Sequence, residues 1–317
     1  MTPIHPAVAP ELVEPLTALL DATASNPTLS GKTLGFYRKR NKFNVSPASD
    51  FPAIQPYDIE LSTEAPGVRV WVINASENAK KPALLHFHGG GFVMGSCQNG
   101  FSRMQQLALD LDCVVVSVDY GLAPEMRIGE VVKQSYKALA WTHQQSKSLG
   151  IDNTRIGLLG FSAGGGHAAL LAQYATHRNE YAVKCHALIY PMLDDRTGST
   201  IFTEFPKGKY LWTAEQNQYG WQAALGHTPG KDSIKPFTVP ARQPLSASLP
   251  ATYIAVGDLD LFHDESLEYA NALQALGIPV ILNDVPGAFH AFESIAPETE
   301  LAKAFNRHLL SSLVTML

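Results

Sequence analysis

Cysteine is scarce in this 317-residue chain, with three residues, Cys97, Cys113 and Cys185, far apart and none in a C-x-x-C spacing. That excludes a disulfide framework and a thiolate zinc site as organising features. An odd thiol count suits a reducing compartment, so a cytoplasmic location is expected. Cys113 and Cys185 open apolar runs and read as core; Cys97 follows a glycine loop and reads as a packing residue too. Long hydrophobic runs are also missing. No stretch approaches the roughly 20 apolar residues of a membrane span, and residues 1–10 have neither the basic start nor the apolar centre of a secretory signal. Positive charge is thin: 24 Lys and Arg stand against 29 Asp and Glu, for a net charge of −5. The cations are scattered rather than striped, which leaves nucleic-acid binding without support. No repeat or low-complexity tract is present. What remains is a 45% apolar chain long enough for one large α/β domain or two smaller ones.

The most informative feature present is Gly160-Phe161-Ser162-Ala163-Gly164. It follows the apolar run 156–159 and opens an Ala/Leu-rich stretch, 168–175, that reads as a helix. G-x-S-x-G between strand and helix is the signature of a turn that strains its central residue and lifts the hydroxyl clear of the sheet. Small neighbours are needed so that nothing collides with the turn. Ser162 is the candidate nucleophile. Upstream, Leu84-Leu85-His86-Phe87-His88-Gly89-Gly90-Gly91-Phe92 runs an apolar strand into three glycines. Three glycines weaken any regular element, so bare backbone is needed there. In acyl transfer a carbonyl oxygen becomes an anion, and each preorganised N–H donor aimed at it is worth about 3–4 kcal/mol of barrier.

Short apolar segments at 68–73, 83–87, 114–118, 155–159, 187–190, 252–256 and 280–285 are strand candidates, several apolar on both faces as a buried parallel sheet requires. Helical patterns fall at 129–149, 264–276 and 297–317, the second stopped by Gly277 and Pro279. The expected fold is an α/β sheet, mostly parallel, flanked by helices. Two regions stand outside the alternation. Residues 1–50 hold one amphipathic helix candidate, 10–24, then the basic run Arg38-Lys39-Arg40, read as a solvated face. Residues 195–247 carry Phe202, Phe205, Tyr210, Trp212, Tyr219 and Trp221. Both regions are expected to form a helical cap over the carboxyl ends of the strands, where open α/β sheets bind ligands. Most of those aromatics would seat the insertion, and one or two would touch substrate. The division is then a cap segment 1–50 and a catalytic domain 51–317 with 195–247 as an insertion.

A serine needs a base, and the base needs an orienting acid; in this arrangement they follow the serine as acid, then histidine. His167 and His177 lie on the helix after the turn, too near to swing back. His186 opens a buried strand, His227 sits in the insertion, and His308 lies in the last helix. His263 crowds the acid candidates. His290, in Val285-Pro286-Gly287-Ala288-Phe289-His290, falls in a loop just past a strand and is the best base. The acid lies within residues 256–265. Asp264 and Glu265 start a helix, where capping and the macrodipole explain them. Position does not separate Asp258 from Asp260.

These elements together resemble the hormone-sensitive-lipase-like esterases of the α/β-hydrolase superfamily. The resemblance rests on His88-Gly89-Gly90-Gly91, Asp119-Tyr120-Gly121-Leu122-Ala123-Pro124-Glu125, the serine turn, Asp260-Leu261-Phe262-His263-Asp264-Glu265 and Phe289-His290, in that order over most of the chain. It implies an α/β-hydrolase fold, a triad of Ser162, Asp260 and His290, and oxyanion donors on Gly90, Gly91 and Ala163, with His88 bracing the loop. Two positions depart from the pattern. Phe161 stands where an acid is common, and Gly121 where an arginine is usual, which alters local support and substrate preference rather than the reacting groups. His86 and His88 at i, i+2 lack a third ligand at metal spacing, so no metal is expected, and no organic cofactor is required.

The expected activity is hydrolysis of short- to medium-chain carboxylic esters, small-molecule substrates, through an acyl-enzyme. Amidase, arylformamidase or carbohydrate deacetylase activity would use the same groups, and a non-catalytic ligand receptor on the same scaffold is the rival from another class. Pairing of two chains through a sheet edge is a further implication of the resemblance.

Overall fold

Val114, Val115 and Val116 are all fully buried, so both faces of their strand are covered, and the architecture follows from that. The structure is a computed structural model and describes residues 4–40, 50–60, 62, 65–201 and 204–317. Residues 1–3 and 41–49 of the expected cap segment and Phe202 and Thr203 of the insertion lie outside the described residues. Among the described residues eight strands form one sheet: β1 Ile54–Ile59, β2 Val68–Ile73, β3 Lys81–Phe87, β4 Val114–Asp119, β5 Ile151–Phe161, β6 Cys185–Ile189, β7 Ala251–Gly257 and β8 Val280–Val285. Their order is β1-β2-β4-β3-β5-β6-β7-β8. The pairs β1·β2 and β2·β4 are antiparallel and the other five are parallel.

The helices are α1 Pro10–Thr23, α2 Leu34–Arg40, α3 Phe101–Asp110, α4 Ile128–Gln144, α5 Ser146–Leu149, α6 Ala163–Arg178, α7 Ala214–Leu225, α8 His263–Ala275, α9 Phe292–Ile295 and α10 Glu300–Met316. Alternation along the strands sends Leu85, Val116 and Leu158 to one face, against Leu139 of α4, Leu171 of α6 and Leu273 of α8. Leu84, Val115 and Leu159 go to the other face, against Leu16 of α1, Met104 of α3 and Phe305 and Leu313 of α10. Each such side chain removed from water contributes about 1.5–3 kcal/mol. A third cluster joins Phe92, Ala163, Met192 and Phe262 to Leu34, Trp212 and Trp221. Phe92 follows β3, Ala163 follows β5, Met192 follows β6 and Phe262 follows β7, so this cluster sits at the carboxyl ends of the parallel strands.

Several boundaries differ from the sequence pattern. β1 carries no apolar run, and its Pro56 argues against a strand. It is an edge strand paired only with β2, where a missing N–H is tolerated. β5 is longer than the apolar run suggests, because Gly160 and Phe161 pair with Phe87 and Ile189 on either side. The 129–149 pattern is two helices, α4 and α5, separated at Gln145. Arg38, read as part of a solvated face, is a brace instead. Its guanidinium donates to Val93 O, Ala123 O and both carboxylate oxygens of Glu125, all at 2.7–2.8 Å. Glu265 also exceeds a helix-start role: it is buried and accepts the Leu193 N–H at 2.6 Å. In the insertion, Tyr210 and Trp221 are fully buried seats, while Phe205 is exposed.

Candidate active site

The site is built where β5 ends. Ser162 has φ 56° and ψ −120°, a region costly for a side chain, and it is the N-cap of α6. Its backbone is held on three sides: its N–H donates to Ile189 O at 2.8 Å, and its carbonyl accepts from Met192 N at 3.1 Å and Gly166 N at 3.2 Å. The turn closes because its glycines have no side chain. A Cβ on Gly160 would stand 2.1 Å from Gly164 O, and one on Gly164 2.1 Å from Phe87 O. These contacts fix the direction in which Ser162 Oγ points.

His290 follows β8 and meets the serine there. Its Nε2 lies 3.0 Å from Ser162 Oγ, and its Nδ1 lies 2.7 Å from Asp260 Oδ2. A carboxylate accepts only, so Nδ1–H donates to Asp260 and Nε2 is left to accept the serine proton. Asp260 Oδ1 takes the Phe262 N–H at 2.9 Å, which orients the carboxylate. All three side chains are buried. Tyr190 and Phe262 stand edge-on to the imidazole, with centroids 4.7 and 5.3 Å away.

The structure separates the two acids that position leaves equal. Asp258 turns away and accepts the Gly287 N–H at 2.7 Å, tying the end of β8 to the loop. His263 is engaged by Asp264, Asp284 and Lys207. His186 bonds Thr252, His227 its neighbouring backbone, and His308 the Tyr253 hydroxyl.

The glycine loop lies against the serine: a Cβ on Gly89 would be 3.3 Å from Ser162 Cβ. Gly90 and Gly91 have φ of 128° and 58°, backbone that glycine adopts readily. A Cβ on Gly91 would fall 2.0 Å from the ring of Trp212, so glycine there lets the insertion lie on the loop. Gly90, Gly91, Ser162 and His290 all line one cavity of about 1100 Å³. Ala163 is the first residue of α6, where N–H groups and the helix dipole favour negative charge. His88 donates from Nδ1 to Gly89 O at 2.7 Å and stacks on Tyr120 at 4.2 Å, and burial pushes its pKa down to about 4. It is a neutral brace. His86 is turned to Ser117 at 2.8 Å, and burial takes it down to about 3. Among the described residues no group of three or more His, Cys, Asp or Glu is placed to hold a metal ion.

Three cavity residues carried no signal in the sequence. Tyr190 donates to Glu293 Oε1 at 2.7 Å, and Arg103 reaches the same oxygen at 2.9 Å. Arg103 sits on the amphipathic helix α3, and Glu293 lies one turn past His290. The cysteines are buried and free, and burial raises the Cys113 and Cys185 thiols to about 12.

Residues 84–294 match the family described as the alpha/beta hydrolase fold. The chain belongs to that family. Among its relatives, Esterase LipI of Mycobacterium tuberculosis is 30% identical over 268 residues, which cover 81% of this chain and 82% of that protein. Arylacetamide deacetylase of Mus musculus is 26% identical, covering 81% of this chain and 79% of its own. A solved structure of a bacterial heroin esterase superposes with a TM-score of 0.84 at 28% identity, over 98% of both chains.

Proposed function

We propose that the chain is a serine carboxylesterase in which Ser162 is the nucleophile, His290 the base and Asp260 the orienting acid. The observation that carries this is the unbroken hydrogen-bonded path from Ser162 Oγ through His290 to Asp260. In the mechanism, His290 Nε2 takes the serine proton as Oγ adds to the ester carbonyl. Asp260 holds the Nδ1–H tautomer and stabilises the imidazolium that forms. The N–H groups of Gly90, Gly91 and Ala163 receive the oxyanion; the loop's approach to Ser162 and the α6 terminus support that role. The imidazolium then protonates the departing alcohol, and water, deprotonated by the same imidazole, releases the acid and restores Ser162. Ser162→Ala is expected to remove turnover of 4-nitrophenyl butyrate while leaving the circular dichroism spectrum unchanged. Retained turnover would refute the assignment.

Ester substrates with short to medium acyl chains fit the cavity volume. Its lining includes Thr23, Asn26 and Tyr37 as well as Leu211, Trp212 and Gln216, which supports a cap made by residues 1–50 and 195–247 over a catalytic domain of 51–317. A chain-length series from acetate to laurate tests the size limit. Amide cleavage is the second reading, favoured by the likeness to a protein named a deacetylase; rates on acetanilide beside phenyl acetate decide it. A cytoplasmic site belongs to the proposal and is supported by buried, unpaired thiols. No described helix is long and apolar enough to cross a membrane. Pairing of two chains along an open sheet edge is the last part of the proposal, read by light scattering.

A further inference from the structure

The cavity wall has a chemical character that ester hydrolysis alone does not use. Among the described residues its charged lining is Arg40, Arg103, Lys303 and Arg307 against Asp110 and Glu293, in a protein whose net charge is −5. Arg103 is the cation beside the nucleophile. Its guanidinium carbon stands 4.3 Å from the ring centroid of Phe161, the residue before Ser162. Its Nη1 donates to Glu293 Oε1 at 2.9 Å and its Nη2 to Asn306 Oδ1 at 3.1 Å. Glu293 also lines the cavity, but its side chain is 1% exposed and its Oε1 accepts from Tyr190 and Ser294 as well, whereas the Arg103 side chain is 33% exposed. A ligand entering here therefore meets more of the cation than of its counter-ion.

Phe161 sharpens that effect. A carboxylate at this position would pair with Arg103 and face the substrate with negative charge. The aromatic face instead covers the guanidinium, and the N–H groups not given to Glu293 and Asn306 remain for other acceptors. Among the described residues the remaining cations are weakly compensated. Lys303 and Arg307 reach exposed Glu298 and Glu300 at 3.6–3.8 Å, pairs worth little in water, and Arg40 bonds the neutral Asn26.

We infer that this arm of the cavity is an anion subsite, and that the preferred esters carry a carboxylate held by Arg103 away from the scissile carbonyl. The inference rests on the esterase reading above and names its substrate class. Arginine suits the role because its fork matches a carboxylate with two charge-assisted hydrogen bonds.

The test compares matched pairs in which an isopropyl group replaces the carboxylate. On the acyl side these are methyl hydrogen glutarate and methyl 5-methylhexanoate; on the alcohol side, 4-acetoxybutanoate and 4-methylpentyl acetate. In at least one pair the anionic-to-neutral ratio of kcat/KM is expected to fall at least tenfold in Arg103→Gln, through KM, and to survive largely in Arg103→Lys. A ratio unchanged by Arg103→Gln in both pairs overturns the inference. Calorimetry on Ser162→Ala needs neither turnover nor an altered Arg103: glutarate is expected to bind at least tenfold more tightly than glutaramide, and equal binding overturns the subsite. If the wild type hydrolyses none of the esters, the esterase reading falls while the calorimetric contrast still decides the anion site.

Discussion

Asp258 and Asp260 differ by two positions in one loop, yet only one faces His290. Spacing could not assign them, because the loop's turn decides which carboxylate points inward. Once folded, the Phe262 N–H and the His290 Nδ1–H converge on Asp260, whereas Asp258 accepts from Gly287. Asp260→Asn keeps the volume but favours the wrong imidazole tautomer, so kcat is expected to fall on the order of 10³–10⁴-fold. Asp258→Asn keeps an acceptor for Gly287 and is expected to hold kcat within threefold. The pair, measured on one ester under saturating conditions, separates the roles. Equal losses in the two variants would sink the assignment. The places of Ser162 and His290 in the fold, by contrast, were legible, because a strained turn and a loop just past a strand leave marks in the residues around them.

Those marks belong to elements. The serine turn was readable since its glycines answer to contacts with no tolerance: a Cβ at Gly164 meets Phe87 O and His88 O at 2.1 and 2.5 Å. Backbone cannot yield as a flexible side chain can, so Gly164→Ala is expected to destabilise the fold by about 1–3 kcal/mol or more and to lower kcat by displacing the elbow. Urea unfolding beside an activity assay reads both, and an unchanged midpoint would contradict the contact. The parallel strands were equally readable, as apolar on two faces. β1 and Arg38 were not. An edge strand with one partner need not be apolar, and a cation in a basic run shows nothing of the carbonyls it will reach. Arg38 holds Glu125, which it takes down to about 2 from an ordinary 4.5. A lowered carboxyl pKa means stability present above pH 4.5 and lost as pH falls toward 2. The carboxylate is largely exposed, so most of the brace is expected to come from the Val93 and Ala123 carbonyls. Arg38→Met, which removes the carbonyl bonds as well as the ion pair, should therefore cost more stability at pH 7 than Glu125→Gln, which removes the ion pair alone, and equal losses would show that the ion pair dominates.

Across the whole molecule, acid sensitivity is expected to come from histidines rather than from surface carboxylates. His86, His167 and His186 are held by burial at about 3 and His88 at about 4. Each is neutral when folded and takes a proton near pH 6.5 once the chain opens, so the unfolded state binds more protons between those values. Stability is then full above pH 6.5 and declines as pH drops through it, by up to about 1.4 kcal/mol per pH unit for each group. Glu265 and Asp119, whose carboxyls burial raises, act in the opposite sense, but they stand against these four and His143, which burial also lowers. Against a typical total of about 5–15 kcal/mol, losses of this kind are expected to weaken the fold as pH falls below 6.5, ahead of most ordinary carboxylates. His167 gives the cleanest check. Neither of its ring nitrogens has a partner among the described residues, and its ring packs between Phe92 and Tyr120 at 4.8 and 4.5 Å. Phenylalanine there keeps the aromatic contacts and removes the titrating group. Urea unfolding of His167→Phe is expected to show a shallower loss of stability between pH 7.5 and 5.5 than the wild type, with the gain largest at the acid end. Parallel profiles for the two proteins would mean that His167 is protonated alike in both states, and that the neutral buried ring is not what limits this fold in acid.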